Sequence, residues 1–273
     1  MFVVNLPRSL NRKKFMSEQL DSLGISFEFM EAIDGENLSI EEVKIKHGLE
    51  RSGSYVYKRS LCKGEIGCAL SHFQIYRKIV AENIEVACIL EDDASLSADF
   101  AEMLDYHLVK SYEWEILLLG HFGDYSGGEN KLGVECAGNP INFVKNSKIS
   151  RPIEMAHGSH AYIIKNSAAG KLLNFAFPVR MPADDFLGSS RSAGVDLYVL
   201  KPPCAIQNKS FSSTIYQNID LFKFRKLFKL RKFLRERVPE LIKMKRKIDF
   251  LLVFLKVTIR RLGILQDSYA KKL

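Results

Sequence analysis

Three carboxylates stand together at Glu91-Asp92-Asp93, directly after the apolar run Val86 to Leu90. Such a run reads as a buried strand, and acids at its carboxyl end lie where open α/β sheets bind ligands. Adjacent carboxylates repel one another unless a cation sits among them. Oxygen ligands suit Mg²⁺ or Mn²⁺, and such an ion bridging the diphosphate of a sugar nucleotide would supply the charge. The competing reading is a strand followed by an acidic, helix-capping turn. A second acidic pair, Asp184-Asp185, follows Pro182 and either reaches a site or caps a short helix starting near Phe186.

Other candidates surround these acids in sequence. Asn5, Arg8 and Arg12 lie at the end of a first strand and the start of a first helix, where a nucleotide base and phosphates often sit in such sheets. Arg12 reads equally as a solvated helix charge. Ser71 and His72 sit on a helix among apolar neighbours, where a lone His is more often a core residue than a ligand. His160 begins an apolar strand and touches either a ligand or only a strand-end hydrogen-bond partner.

The elements that must hold these residues alternate. Phe2 to Leu6 reads as a strand stopped by Pro7. Leu10 to Leu23 reads as a helix with Arg12, Lys13, Lys14, Glu18 and Gln19 on its wet side. Ile25 to Met30 is strand-like, and residues 36 to 60 read as a loop with one short helix. Gly64 to Asn83 reads as a helix, followed by the strand that ends in the three acids. Phe100 to Lys110 reads as a helix, Glu115 to Leu119 as a buried strand, and Gly120 to Pro140 as a long loop of the kind that closes over sites. His160 to Lys165 is a strand, Ser167 to Phe175 a helix, and Leu197 to Leu200 a strand closed by Pro202-Pro203. This order predicts an α/β fold with a mainly parallel sheet flanked by helices.

Composition narrows the class. The 273 residues are 47% hydrophobic and 26% charged, an ordinary globular balance. Cys62, Cys68, Cys88, Cys136 and Cys204 form no CxxC pair, which fits reduced thiols and a cytoplasmic protein. No secretory signal is expected in residues 1 to 15. The net charge of +8 is unevenly spread: residues 221–273 hold 17 Lys and Arg against 4 Asp and Glu, so the remainder is mildly acidic.

The blocks Val4-Asn5-Leu6-Pro7-Arg8 with Arg12, Gly64-Glu65-Ile66-Gly67-Cys68 with Ser71-His72, and Leu90-Glu91-Asp92-Asp93-Ala94 resemble glycosyltransferase family 25. Gly158-Ser159-His160-Ala161-Tyr162, Pro182-Ala183-Asp184, and Pro203 with Gln207 and Ser213 extend the resemblance over about residues 1 to 215. It implies a GT-A-like (Rossmann-like) fold, a UDP-sugar donor, Mn²⁺ or Mg²⁺, and inversion at the anomeric carbon. It further implies Asp93 as metal ligand. Glu91 and Asp92 would contact the donor, together with Asn5, Arg8, Arg12, Ser71, His72, His160 and Gln207. Asp184 would then be the general base or a further metal contact, with Asp185 a weaker candidate beside it.

The resemblance divides the chain into a catalytic domain, residues 1–219, and a basic helical extension, residues 220–273. In the extension Ile248, Leu251, Leu252, Leu255, Ile259 and Leu262 follow helical spacing beside Lys256, Arg260 and Arg261. Residues 221–273 then lie on an anionic inner-membrane surface, pack on the body, or form a homo-oligomer interface. No recognised nucleic-acid module is present, so no such partner is expected. The combined expectation is a hexosyltransferase at the cytoplasmic face of a bacterial inner membrane. It would move galactose from UDP-galactose onto a lipopolysaccharide or lipooligosaccharide acceptor. The alternative is a non-catalytic membrane-surface or saccharide-binding protein on the same scaffold.

Overall fold

A computed structural model of the chain describes residues 1–39, 61–123 and 134–215. These belong to one compact unit, Met1–Ile215. The basic extension, most of the 36–60 segment and residues 124–133 of the expected covering loop lie outside the described residues.

The chain runs β1 (Phe2–Asn5), α1 (Leu10–Ser22), β2 (Glu28–Glu31), α2 (Lys63–Ala81), β3 (Val86–Glu91), β4 (Ala94–Leu96), α3 (Tyr106–Ser111) and β5 (Ile116–Leu118). It continues with β6 (Cys136–Asn142), β7 (Lys148–Pro152), β8 (Ala161–Lys165), α4 (Asn166–Leu173), α5 (Ala183–Gly188), β9 (Leu197–Lys201) and β10 (Ala205–Gln207). Eight strands form one sheet in the order β2-β1-β3-β8-β5-β9-β7-β6, and β10 pairs with β4 apart from it. The expected helix-flanked α/β sheet is present, and it is mixed. β1 is parallel to β2 and β3, β5 is parallel to β9, and β8 runs antiparallel to both its neighbours.

Strand periodicity divides the core in two. Phe2, Val4, Ala87, Ile89, Tyr162 and Ile164 face α2, α4 and α5, where Phe73, Tyr76, Leu172 and Phe186 pack. Val3, Cys88, Leu90, Ala161 and Ile163 face α1, where Met16 and Leu20 meet Phe100 and Trp114. The helices α1 and α2 thus lie on opposite faces, and the chain leaves β1 for β2 on one side and reaches β3 on the other. The crevice between β1 and β3 is a topological switch point, the usual ligand position in open α/β sheets.

β8 is antiparallel because the chain re-enters it where β5 ends: the Leu119 amide donates to the Ala161 carbonyl at 3.0 Å. This brings residues 157–160 to the carboxyl end of β3, where the Glu91 amide donates to the His160 carbonyl at 3.0 Å. Proline closure after β9 and the β10–β4 pairing bring Gln207 opposite Ala94.

Several sequence expectations are corrected. Arg12 is not on the wet side of α1. It shares the i, i+4, i+8 stripe of Met16 and Leu20 and is only 8% exposed, since buried carboxylates compensate its charge. Gln19 is likewise engaged: its side chain donates to the Ala94 carbonyl at 3.0 Å and accepts from the Leu96 amide at 2.9 Å. The Phe100–Lys110 helix is two pieces, a 3₁₀ turn Phe100–Leu104 and α3, because Asp105 takes a non-helical ψ of 116°. The Gly120–Pro140 loop ends in β6. As the sheet's edge strand, β6 exposes most of its side chains, so no alternation marks it in the sequence.

Candidate active site

A pocket opens at the carboxyl ends of β1 and β3, lined among others by Arg8, Arg12, Asp34, Cys68, Glu91, Asp92, Asp93 and Gln207. The α2 motif shapes its far wall through its glycines. A Cβ on Gly67 would stand 2.6 Å from the Gly35 nitrogen and the Ile33 oxygen, and one on Gly64 would stand 2.5 Å from the Ile215 oxygen. Both positions therefore need glycine for close backbone approach. Glu65 starts α2 by accepting the Cys62 amide at 2.8 Å. Ser71 accepts the Ile33 amide at 2.8 Å and donates to the Gly67 carbonyl at 2.7 Å, bracing the loop that carries Asp34. Arg8 pairs with Asp34 at the pocket rim.

Arg12 is the cation among the three acids. Its Nη1 donates to Asp92 Oδ1 at 2.8 Å and Asp93 Oδ2 at 3.1 Å, and its Nη2 donates to the Ser212 carbonyl at 2.8 Å. Asn5 donates to the other Asp92 oxygen at 2.7 Å. Gln207 reaches Asp93 Oδ2 at 3.3 Å. Burial raises the Asp92 carboxyl, with Arg12 and Asn5 opposing. Burial and the Glu91 charge push Asp93 up to about 6 against the pull of Arg12. Asp93 Oδ1 is buried with no hydrogen-bond partner among the described residues. A hard divalent cation fits that orphaned oxygen.

Glu91 is held differently. Burial raises its carboxyl, but His72 and the Ser159 hydroxyl, which donates at 2.5 Å, more than offset this and bring it down to about 2. His72 is buried behind the pocket, its Nδ1 2.7 Å from the Tyr162 hydroxyl. His160 is also buried, its ring 5.4 Å from that of Phe122 and packed against Gly120. Burial lowers its proton affinity. Asn5, His72 and His160 thus support the acids from behind and do not line the pocket.

The second acidic pair starts α5 and lies beyond the pocket lining. Asp185 is 2% exposed and meets His157 Nδ1 at 2.6 Å, while its amide donates to Asp184 Oδ1 at 3.0 Å. Asp184 is half-buried. Burial and the Asp185 charge push it up to about 7, with His157 opposing. Its charge, with those of Glu91 and Asp93, also acts on the Cys68 thiol, so both acidic groups converge beside α2.

The model of glycosyltransferase family 25 (LPS biosynthesis protein) matches residues 1–187. This chain belongs to glycosyltransferase family 25. It is 29% identical over 196 residues to procollagen galactosyltransferase 1-B of Xenopus laevis, covering 68% of this chain and 30% of that protein. A glycosyltransferase 25 family member of Aedes aegypti is 37% identical over 112 residues, covering 38% of this chain and 18% of the relative. A rat protein named "Probable inactive glycosyltransferase 25 family member 3" is 29% identical over 196 residues, covering 68% of this chain and 32% of its own length. The chain thus spans under a third of the length of these relatives. The first of these relatives is named as a galactosyltransferase and the second only as a family member. Because one relative's name denies it turnover, the site residues must carry the detailed chemistry.

Of the residues expected at the family site, Arg8, Arg12, Ser71, Glu91, Asp92, Asp93 and Gln207 line one pocket. Sequence reasoning gave Cys68 no site role, although it stands one helical turn before His72 on the same face. It passed over Ser159, which is next to His160, and Asp34. His157 meets Asp185, 28 residues away, a pairing that no local pattern shows.

Proposed function

We propose that this chain is a metal-dependent, inverting galactosyltransferase. It moves galactose from UDP-galactose onto a sugar hydroxyl of lipopolysaccharide or lipooligosaccharide, at the cytoplasmic face of a bacterial inner membrane. The carrying observation is the pairing of two unlike acidic groups beside α2: an Arg12-braced Asp92 and Asp93, and Asp184 with a proton affinity near neutral pH. The names of the procollagen relatives favour galactose, and the family's description favours the lipopolysaccharide acceptor.

In this reading the donor lies in the β1–β3 crevice. Arg8 stands at the rim, half-exposed and available to phosphate or ribose once it leaves Asp34. Arg12 fixes the Asp92 and Asp93 carboxylates so that they need not reorganise as charge moves. A divalent cation, held by Asp93 with Gln207 beside it, would neutralise charge developing on the leaving diphosphate. Asp184 takes the proton of the acceptor hydroxyl as its oxygen attacks the anomeric carbon and UDP departs. A carboxylate titrating near 7 suits that task. Asp185, buried against His157, supports this group and does not face the reaction.

The deciding experiment measures UDP release from UDP-galactose by wild type and Asp93→Ala, with and without Mn²⁺. Truncated lipooligosaccharide and a collagen peptide serve as alternative acceptors. Release that needs Mn²⁺, Asp93 and the saccharide is expected. Acceleration by the peptide alone would replace the acceptor assignment. Metal-dependent UDP binding without turnover on any UDP-hexose would favour the binding-protein alternative.

A further inference from the structure

We propose that Cys68, His72 and Glu91 form a separate cation site on the pocket wall, suited to a borderline-soft divalent ion of the zinc type, whose occupation obstructs the donor pocket. Cys68 and His72 are four residues apart on α2 and share a face, and Glu91 ends β3 opposite them. One ligand atom from each lies within 4.8 Å of the other two. Ligands about 2.0–2.3 Å from a zinc ion stand roughly 3.5 Å apart, so modest side-chain movement closes the set.

His72 supplies the independent observation. Its Nδ1 is held by the Tyr162 hydroxyl at 2.7 Å, and that hydroxyl lies 2.9 Å from the Tyr76 hydroxyl. The ring is therefore fixed with Nε2 toward Glu91, 3.5 Å away. At that separation Nε2 faces Glu91 as an ion pair but, buried, makes no hydrogen bond among the described residues. A ring nitrogen oriented by a polar partner on its other nitrogen is the usual state of a metal-bound histidine.

The donor set separates this site from the hard oxygen of Asp93. Thiolate, imidazole and carboxylate together favour zinc-type ions over Mg²⁺. The negative field of Glu91, Asp184 and Asp93 at Cys68 attracts a cation there. As the sulfur–metal bond forms, the thiol proton leaves to solvent. Cys68 and Glu91 both line the donor pocket, so an ion between them competes with the nucleotide.

Co²⁺ titration of the reduced full-length chain, with no donor or acceptor present, tests the site independently of the transferase reading. The expected result is a near-ultraviolet thiolate-to-cobalt band saturating at one ion per chain. It should vanish in Cys68→Ser and persist in Cys62→Ser and Cys136→Ser. Tyr162→Phe, which frees the His72 ring, should weaken Co²⁺ binding about 10- to 100-fold. Zn²⁺ should abolish the band and weaken UDP binding. Absence of the band in wild type, or its survival in Cys68→Ser that retains the native circular dichroism, overturns the proposal. So does Tyr162→Phe binding Co²⁺ as tightly as wild type.

Discussion

The two acidic groups beside α2 contain the same chemical function and behave differently. Asp92 and Asp93 follow β3 and share the Arg12 guanidinium, with Asn5 and Gln207 taking further oxygens. Asp184 begins α5 with no Arg or Lys bonded to it among the described residues; its neighbours are Asp185 and His157. The Arg12 cation opposes protonation of the first group, where burial still pushes Asp93 up to about 6. No such cation opposes it at Asp184, which is pushed up to about 7. Proximity of carboxylates therefore does not define a role; the counter-charge that the fold brings to them does.

The largest test of this contrast is Asp184→Asn. Loss of a general base should lower kcat by about 10²- to 10⁴-fold while UDP binding stays unchanged. In wild type, kcat should fall about tenfold per pH unit below about 7, where Asp184 becomes protonated. The stability sign is opposite. The folded chain holds this proton more tightly than the unfolded chain, whose carboxyl titrates near 3.8, so stability falls as pH rises from about 4 to about 7. Urea unfolding should show a smaller fall for Asp184→Asn. An equal fall would mean that Asp184 is not the proton-exchanging member.

Arg12→Met probes the other side. Breaking this buried pair leaves Asp92 and Asp93 without their counter-charge and should cost about 3–5 kcal/mol in denaturant unfolding at pH 8. A loss below about 1 kcal/mol would place the compensating charge elsewhere. His157→Asn sharpens the comparison. The His157 charge holds Asp184 down, so its removal should move the rise of kcat to higher pH. One unit of displacement corresponds to about 1.4 kcal/mol. The smallest effect is expected from Ser71→Ala, which deletes one hydrogen bond between α2 and the Ile33 loop and one within α2. Thermal unfolding should report about 1 kcal/mol, with weaker UDP binding and no change in the pH profile.

Much of this was legible in the chain. The run Val86 to Leu90 before three acids identifies a strand and the end that carries chemistry, because a buried strand is apolar on both faces and its polar terminus must meet solvent or a ligand. The spacing of Gly64, Gly67, Cys68, Ser71 and His72 marks one helix. What sequence could not show was which side of that helix each residue serves. Ser71 turns to the Ile33 loop and His72 to Tyr162, partners 38 and 90 residues away.

The sequence by itself determined the family, the order of β1, β2, β3, β5, β8 and β9 with α1, α2 and α4 among them, and the residue types gathered at the carboxyl end of β3. These follow from local periodicity and from motifs a few residues long. Only the tertiary structure decided that Arg12 is buried, that β8 runs antiparallel and delivers Ser159 and His160 to Glu91, and that Asp185 is tied to His157. Charge compensation and strand direction depend on which distant segments become neighbours. That is settled by how the two faces of the sheet are covered, not by any single stretch of chain.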